Sequence, residues 1–434
     1  MQESKRDIGL IRVVGPWALA AAAISMIVGA SIFAVPAALA ASIGAYGPLA
    51  FLACGFAVGA VAICFAEGCS RVPTSGGVYG LIEAAFGPLV AYVAGTLLWV
   101  SCVLACGGVA AALADVVSSV LAESLRGPAR EATIIGVIGC IVLINMGGVA
   151  RAARLVAATT TLKLVPLVVF VVAGLGTAVH GFSLHQTVHA NAPDIGRALI
   201  LGVFAFMGME TALCASGEVR HPNRTIPRAL AVTLLTATIL YVAIQFIAQG
   251  ILGAALASSK APLADAMAQI HPALRALMLA GAAVSMLGYL GSDILGSPRQ
   301  LFALARDGLL PGALGRLHPR SHAPHIAILC YAMLAIILAL TGTFTELAVL
   351  SALAMAPLYI AGCAAAWVLA RRGVTRAGSP LNFPFLGTAA AIGIGSMLVL
   401  VVLGSRREII GLVTLLFVST ALYLLQTRSA LIRA

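Results

Sequence analysis

Long apolar runs separated by short polar segments make up most of this chain. A helix needs about 20 consecutive apolar residues to cross a bilayer, and many of these runs are that long. We therefore predict an all-α membrane protein with twelve transmembrane helices. The predicted spans are 13–41, 46–69, 88–118, 132–149, 155–178, 196–217, 229–253, 273–298, 325–342, 346–369, 385–404 and 409–426.

The first predicted span is interrupted near its centre. Gly29 lies among small residues, and Pro36 follows it, so the helix loses side-chain support and then a hydrogen-bond donor. An unwound segment inside a bilayer is tolerated only where its backbone groups line a polar cavity. Its free N–H groups would attract an anion and its free carbonyls a cation, so a zwitterion suits both. Taken alone, this stretch fits equally well an unbroken helix whose small residues allow close packing.

The sixth predicted span repeats this pattern around Gly208, with Glu210 beside it. A carboxylate in the middle of a span is costly and indicates a functional role. Spans one and six are five apart, so they cross the membrane in opposite directions. Interrupted helices at matching positions of two oppositely oriented halves are typical of inverted-repeat transporters, which hold the substrate between the interruptions. We predict that helices 1 and 6 are broken and that they belong to the two halves of an inverted repeat.

Composition and charge narrow the class of protein. The chain has 434 residues, of which 61% are hydrophobic and 9% charged, so there is almost no room for a soluble domain. The formal charge of +11 does not indicate nucleic-acid binding, because the basic residues punctuate apolar runs. Most of them fall in alternate loops, which predicts a cytoplasmic (plasma) membrane protein with both termini in the cytoplasm. The basic residues predicted outside are Arg126, Arg130, Lys260, Arg275, Arg406 and Arg407.

The sequence does not support metal, cofactor or enzyme chemistry. None of the nine cysteines forms a CxxC pair, and small packing residues are the simpler interpretation. His185 and His189 have the spacing of helical metal ligands, but they lie in a predicted loop without acidic or thiol partners. No HExxH, GxSxG or Walker A segment is present, so neither an enzyme nor an ATP-driven pump is indicated. We expect no cofactor and no catalytic residue.

Five segments, in a fixed order, resemble those of one transporter superfamily. They are Gly29-Ala30-Ser31-Ile32-Phe33, Pro73-Thr74-Ser75-Gly76-Gly77-Val78-Tyr79, Ala85-Phe86-Gly87-Pro88, Phe204 to Glu210 with Gly217 to Arg228 behind it, and Ala305 to Pro311. The chain resembles the amino acid–polyamine–organocation permease superfamily, whose core is the LeuT-like five-plus-five repeat. The first segment departs from the usual Gly-Ser-Gly-Ile-Phe at its second and third positions. The resemblance implies a transport core over 1–384 and peripheral helices 11 and 12 over 385–434.

The resemblance also implies where a substrate binds. Its carboxylate would meet the backbone N–H groups of Ala30 and Ser31, and its α-amino group would meet carbonyls near Ile27, Phe204 and Met207. The side-chain subsite would fall on small residues of span three. The implied substrate-binding set is Ile27, Gly29, Ala30, Ser31, Ser101, Cys102, Cys106, Phe204, Met207, Gly208 and Asp293.

Three residues are expected to act in coupling or gating. Phe204 aligns with the aromatic that closes over the substrate in related antiporters, with plain packing as the alternative. Lys163 lies where sodium-coupled relatives bind an ion, and we interpret it as tying span five to spans one and eight; a lysine snorkelling to the interface is the alternative. Glu210 is either a proton site or a structural hydrogen-bond partner of the unwound backbone.

Asp293, in span eight, is the most unusual polar residue of the chain. A buried charge without a partner is costly, so some group should pair with it. One hypothesis is a counter-charge for a cationic substrate side chain, and the other is an ion pair with Lys163, which we favour at this stage. Glu67 and Asp115, near the ends of predicted spans, are expected to be solvated at the membrane interface.

Together these features predict a secondary active transporter of amino acids that works by alternating access, as an exchanger or coupled to protons. The alternative is a carrier of polyamines or other organic amines, which Asp293 would favour if it faces the substrate. The predicted partners are a small amino acid and the lipid bilayer, with protons and a homodimer left open and nucleic acid excluded.

Overall fold

The computed structural model describes residues 14–74, 76–119, 121–146, 162–181, 191–214, 216–306, 310–318, 323–376 and 380–433. Over these residues the chain is helical apart from connecting turns and one isolated bridge between Val14 and Val219. His185 and His189, and the start of the fifth predicted span, lie outside the described residues.

Sixteen helices can be numbered along the described residues. The first eight are α1 (Pro16–Ile27), α2 (Val35–Ile43), α3 (Gly47–Arg71), α4 (Val78–Phe86), α5 (Pro88–Ser119), α6 (Arg126–Met146), α7 (Leu164–Gly181) and α8 (Ala192–Phe206). The others are α9 (Met209–Leu213), α10 (Pro222–Leu252), α11 (Pro262–Ala268), α12 (Pro272–Arg306), α13 (His325–Thr341), α14 (Phe344–Arg371), α15 (Leu386–Leu403) and α16 (Arg406–Arg433).

The helices have the lengths and the apolar character of a polytopic membrane protein. Among the described residues, 9 helical stretches are long and apolar enough to cross a bilayer, and three shorter apolar helices accompany them. The predicted all-α membrane architecture is confirmed at this level. The count of twelve spans and the inverted repeat stay predictions.

The first predicted interruption is present. Helix α1 ends at Ile27, the next three residues are not helical, and a single 3₁₀ turn over Ser31–Phe33 leads into α2. Pro36 lies in the first turn of α2, where a missing N–H leaves no hydrogen bond unmade. The proline therefore begins the second half-helix, and the small residues before it allow the chain to unwind.

The second interruption is also present, and its cause is a backbone conformation. Helix α8 starts on a capping box between Asn191 and Asp194 and ends at Phe206. Gly208 follows with φ +125°, a value that side-chain-bearing residues rarely adopt, and the short helix α9 resumes at Met209. The chain therefore breaks at Gly208, inside the predicted sixth span.

Long helices surround the two interrupted segments. Helix α3 packs along α10, which also contacts α1, while α5 packs along α14 and contacts α12 and α13. Helices α15 and α16 lie at the edge of this group and expose large apolar side chains such as Val402 (76% exposed) and Phe417 (74%). Such an outer surface is suited to lipid rather than water.

A buried polar cluster closes one end of α3. The Nε atom of Arg71 lies 2.6 Å from Oε1 of Glu67, whose side chain is fully buried. Oε2 of Glu67 accepts the N–H of Phe383 at 2.9 Å, and the Arg71 guanidinium donates to Asn382 at 2.7 Å. The expectation that Glu67 is solvated is wrong. Its charge is instead paired, and the pair fastens α3 to the connection between α14 and α15.

Candidate functional site

A small cavity lies where the two interrupted helices meet. Its volume is about 60 Å³, enough for several water molecules or a small ligand. All predicted substrate-binding residues except Cys106 line it. The full lining is Met26, Ile27, Gly29, Ala30, Ser31, Ser101, Cys102, Ala105, Val109, Phe204, Met207, Gly208, Glu210, Thr211, Tyr289, Asp293 and Met355.

The first interruption presents free donors to this cavity. Within the part of the chain that the structure describes, the N–H groups of Ala30 and Ser31 have no hydrogen-bond partner, whereas the flanking Gly29 N–H is bonded to the Ile27 carbonyl at 2.7 Å. Both residues are buried and line the cavity, so their N–H groups can bond only to what the cavity contains. Two adjacent buried N–H groups form a site suited to an anion.

Gly208 brings the second interruption into contact with the first. A Cβ atom on this residue would lie 3.0 Å from the Met26 carbonyl carbon and 3.1 Å from its oxygen. Those are backbone atoms, which cannot rotate away as a side chain could. Two features, the positive φ and the close approach, therefore each require glycine at this position.

A buried tyrosine joins the two interruptions. The hydroxyl of Tyr241, on α10, donates to the carbonyl of Ile27 at 2.7 Å and to that of Ala205 at 3.0 Å. These carbonyls lie at the end of α1 and in the last turn of α8, where helical partners are missing. Sequence reasoning missed Tyr241, and the available signal was a tyrosine within an apolar span, since a buried hydroxyl normally has a partner.

Glu210 is bonded on both carboxylate oxygens. The N–H of Gly208 donates to Oε1 at 3.0 Å, and the hydroxyl of Tyr359, on α14, donates to Oε2 at 2.8 Å. The side chain is buried and lines the cavity. The structural role predicted for Glu210, bonding to the unwound backbone, is therefore observed, while its proton-site role stays a prediction.

Asp293 lies on the α12 wall of the cavity. Its Oδ1 accepts from the Ser297 hydroxyl at 2.8 Å, and its Oδ2 accepts from the Tyr331 hydroxyl. The thiol of Cys106 is within hydrogen-bonding reach of the same carboxylate. Cys106 therefore contacts Asp293 and is not among the residues that line the cavity.

Lys163 does not pair with Asp293. Its ammonium donates to the carbonyl of Ser25, in the last turn of α1, and no ion pair joins it to a carboxylate of the described residues. The ion pair that we favoured from the sequence is wrong in this conformation. The predicted link from span five to span one is present, but the link to span eight is not.

Ser101 and Cys102 line the cavity from α5, but they do so differently. The Ser101 hydroxyl donates to the Ser351 carbonyl at 2.9 Å, and the Ser351 hydroxyl donates to the Ser101 carbonyl at 2.9 Å. This pair of bonds joins α5 to α14 and leaves the Ser101 hydroxyl engaged. The Cys102 thiol lines the cavity beside it, within hydrogen-bonding reach of the Ser297 hydroxyl.

Phe204 separates this cavity from a second one. Its ring meets that of Phe344 edge to face, with centroids 5.9 Å apart, and Phe344 lines a cavity of about 300 Å³. The second cavity also carries Asp115, Arg197 and Lys260. Asp115 is bonded to Arg130 at 3.0 Å, so the solvation predicted for it is only partial.

Gly77, at the start of α4, packs on the end of α9. Gly77 has φ +52°, and a Cβ there would lie 2.9 Å from backbone atoms of Leu213 and Cys214. The Ser216 hydroxyl donates to the Thr74 carbonyl at 2.9 Å, and the Arg220 N–H donates to the Val14 carbonyl at 2.9 Å. The contacts of Gly77, Ser216 and Arg220 therefore close the C-terminal end of α9 and the N-terminal end of α1.

Comparisons with known proteins give matches over most of the chain. The profile of the family described as "Amino acid permease" matches residues 14–423. The serine/threonine exchanger SteT of Bacillus subtilis (strain 168) is 27% identical over 398 residues, covering 89% of this chain and 90% of the exchanger. The branched-chain amino acid permease BcaP of Lactococcus lactis subsp. cremoris (strain MG1363) is 26% identical over 414 residues, covering 87% and 86%. The methylthioribose transporter of Bacillus subtilis (strain 168) is 25% identical over 343 residues, covering 75% and 74%.

Proposed function

The chain belongs to the amino acid permease family, whose members are membrane transporters and not enzymes, and on that premise we propose that it carries an amino acid by alternating access. The observation that supports this most directly is the cavity between the two interruptions, with the unpaired N–H groups of Ala30 and Ser31 in its wall. Those donors suit the α-carboxylate of an amino acid. An inverted repeat of five plus five helices would place the interruptions opposite each other.

The α-ammonium of the substrate would lie at the second interruption. The carbonyls of Phe204 and Met207 end helix α8, where the helix dipole favours a positive charge. Tyr241 already binds the carbonyls of Ile27 and Ala205, so it holds the two interruptions in register while the substrate binds between them. Because the Ile27 carbonyl already accepts from Tyr241, Ile27 contributes a packing surface to the site more than a free hydrogen-bond acceptor.

We infer that this conformation opens towards the outside through the larger cavity. With both termini in the cytoplasm, Arg197 and Lys260 lie at the outer face, and the Phe204–Phe344 pair is the barrier between the two cavities. The contacts of Gly77, Ser216 and the Val14–Val219 bridge would then form the closed cytoplasmic end. During transport, the contacts at the cytoplasmic end would open while the outer cavity closes above the substrate.

The relatives' names help to choose between modes of coupling. One relative is named an exchanger, which favours exchange of one amino acid for another in this chain too. Lys163 supports that mode, because its ammonium already contacts α1 at the position where a coupling ion would act. Proton coupling through Glu210 and formation of a homodimer through the peripheral helices are secondary proposals.

A transport assay with matched pairs of ligands tests the proposal. Purified protein in proteoliposomes is loaded with one amino acid, and exchange is measured against labelled amino acids, with and without a pH gradient. Each amino acid is paired with its decarboxylated amine as competitor. We expect competition only by ligands with a carboxylate, because only these bind the Ala30 and Ser31 N–H groups. Equal competition by the amines would replace the proposal with the polyamine or organic-amine alternative.

A further inference from the structure

Among the described residues, those that line the cavity include two carboxylates and no basic side chain. Its ionisable lining residues are Cys102, Glu210, Tyr289 and Asp293, of which only the two acids are normally charged near neutral pH. Both acids are buried, and their hydrogen-bond donors are uncharged: a backbone N–H, hydroxyls and a thiol. Lys163, the basic residue whose ammonium contacts the neighbouring turn of α1, is bonded to the Ser25 carbonyl.

A neutral amino acid does not change this balance of charge. Its ammonium and carboxylate cancel, so an ionised acid in the cavity would stay uncompensated in a medium that stabilises charge poorly unless it bound a proton. A substrate with a second ammonium would supply one positive charge to the cavity. We propose that the substrate is an amino acid with a cationic side chain, and that Asp293 binds its side-chain ammonium. This inference rests on the proposed function.

The geometry selects Asp293 over Glu210 for this role. Glu210 is bonded to Gly208, so it belongs to the second interruption and lies close to the substrate's backbone groups. Tyr289 and Asp293 are four residues apart on one face of α12, with Cβ atoms roughly 5–6 Å apart. The Cβ position of Gly29 lies 3.8 Å from Tyr289, so Asp293 lies one turn beyond the first interruption.

The same helix face leads from the first interruption to Asp293. Tyr289 lies beside Gly29, and Asp293 is one helical turn further along α12. A substrate side chain that starts between the interruptions and runs along α12 therefore approaches the Asp293 carboxylate. The Cys102 thiol and Ala105 leave the opposite wall small and uncharged.

Two ligands of matched size provide the test. 2,4-Diaminobutyrate and homoserine have the same number of heavy atoms and differ in ending with an ammonium or a hydroxyl. Exchange of both is measured in proteoliposomes with the full chain, its Asp293→Asn variant and an Asp265→Asn control. Asp265 lies on α11, outside the cavity lining, and is bonded to Ser259 at 2.6 Å.

We expect the unmodified chain to prefer diaminobutyrate. Asp293→Asn should lower the transport efficiency of diaminobutyrate relative to homoserine by about 30-fold or more, the usual effect of removing one partner of a buried charge pair. Asp265→Asn should keep the preference. Because Asp293→Asn removes a carboxylate with three donors, its folding is checked by size-exclusion profile. The Ser297→Ala variant, which keeps the carboxylate and loses one donor, should keep the preference too.

Other outcomes distinguish a failure of the role proposed for Asp293 from a failure of the proposed transporter function. Transport of homoserine without any preference for diaminobutyrate, and an equal loss of both in Asp293→Asn, would overturn the role of Asp293 and leave the amino acid transporter intact. If Asp293→Asn instead abolished the effect of a pH gradient on both ligands equally, Asp293 would carry a proton and the inference would again be wrong. Transport of neither ligand nor any other amino acid would overturn the proposed function itself.

Discussion

Replacing Gly208 by alanine tests whether the two interruptions must touch. The residue has φ +125° and ψ −18°, and an alanine Cβ would come within 3.0 Å of the Met26 carbonyl carbon. Met26 belongs to the last turn of α1, so any relief of this contact moves one interrupted helix away from the other. The substitution therefore acts on the site without removing a hydrogen-bonding group.

The expected cost has two parts. Holding a side-chain-bearing residue in a sparsely populated backbone conformation costs on the order of 1–3 kcal/mol. Forcing an extra carbon into a fully packed contact costs about 1–3 kcal/mol more. The sum, roughly 2–6 kcal/mol, is a large part of the free energy of unfolding of an ordinary protein, about 5–15 kcal/mol. We expect a lower thermal midpoint in detergent and exchange reduced below a tenth of that of the unmodified chain.

Two other glycines serve as controls. At Gly29 an alanine Cβ would lie 3.4 Å from the nearest atom, the Met26 carbonyl oxygen, so Gly29→Ala should unfold at nearly the same temperature as the unmodified chain. Gly139, inside α6, has open space around its Cβ position, and Gly139→Ala should leave exchange unchanged. A Gly208→Ala protein with unaltered thermal midpoint and exchange rate would refute the close contact of the two interruptions.

Three further substitutions follow from the described contacts. Tyr241→Phe leaves two interruption carbonyls without their hydroxyl donor, so we expect a loss of about 1–3 kcal/mol of stability and slower exchange, checked by thermal unfolding and by proteoliposome assay. Phe344→Ala removes one ring of the barrier, and an impermeant thiol reagent added outside should label Cys102 faster, as measured by mass spectrometry; unchanged labelling would contradict the barrier. Glu67→Gln leaves Arg71 buried without a counter-charge and should cost about 3–5 kcal/mol in a thermal or denaturant titration, with partial recovery when Arg71 is also changed to Met.

The interruptions were the part of the fold that the sequence could predict. Gly29 among small residues, and Gly208 beside Glu210, are conspicuous because a bilayer normally requires continuous helix and no charge. The structure has both breaks where the sequence placed them. The part played by Pro36 differs from the prediction, because a proline at the start of a half-helix is favourable and does not itself unwind the chain.

The lining of the cavity was predictable where backbone position decides it. Ala30, Ser31 and Met207 line the cavity because they belong to the breaks themselves. Tyr241 could not be placed, since its hydroxyl meets carbonyls 214 and 36 residues away and no local pattern encodes such contacts. Cys106 was predicted to line the cavity, but it does not. Its thiol lies within hydrogen-bonding reach of the Asp293 carboxylate, and Asp293 is the residue that lines the cavity.

Lys163 shows why partners of buried charges are hard to assign from sequence. The lysine and Asp293 have opposite charges in predicted spans five and eight, and an ion pair would compensate both. The structure satisfies each charge with uncharged groups. The lysine donates to a carbonyl in the last turn of α1, where the helix dipole favours a cation, and the aspartate accepts from hydroxyls. An interrupted helix thus supplies a backbone carbonyl that accepts from a buried ammonium. Matching opposite charges along the sequence does not reveal such an acceptor. Within the described residues the structure also leaves Asp293 without a cationic partner, and the proposed contact of Asp293 with a substrate ammonium rests on that observation.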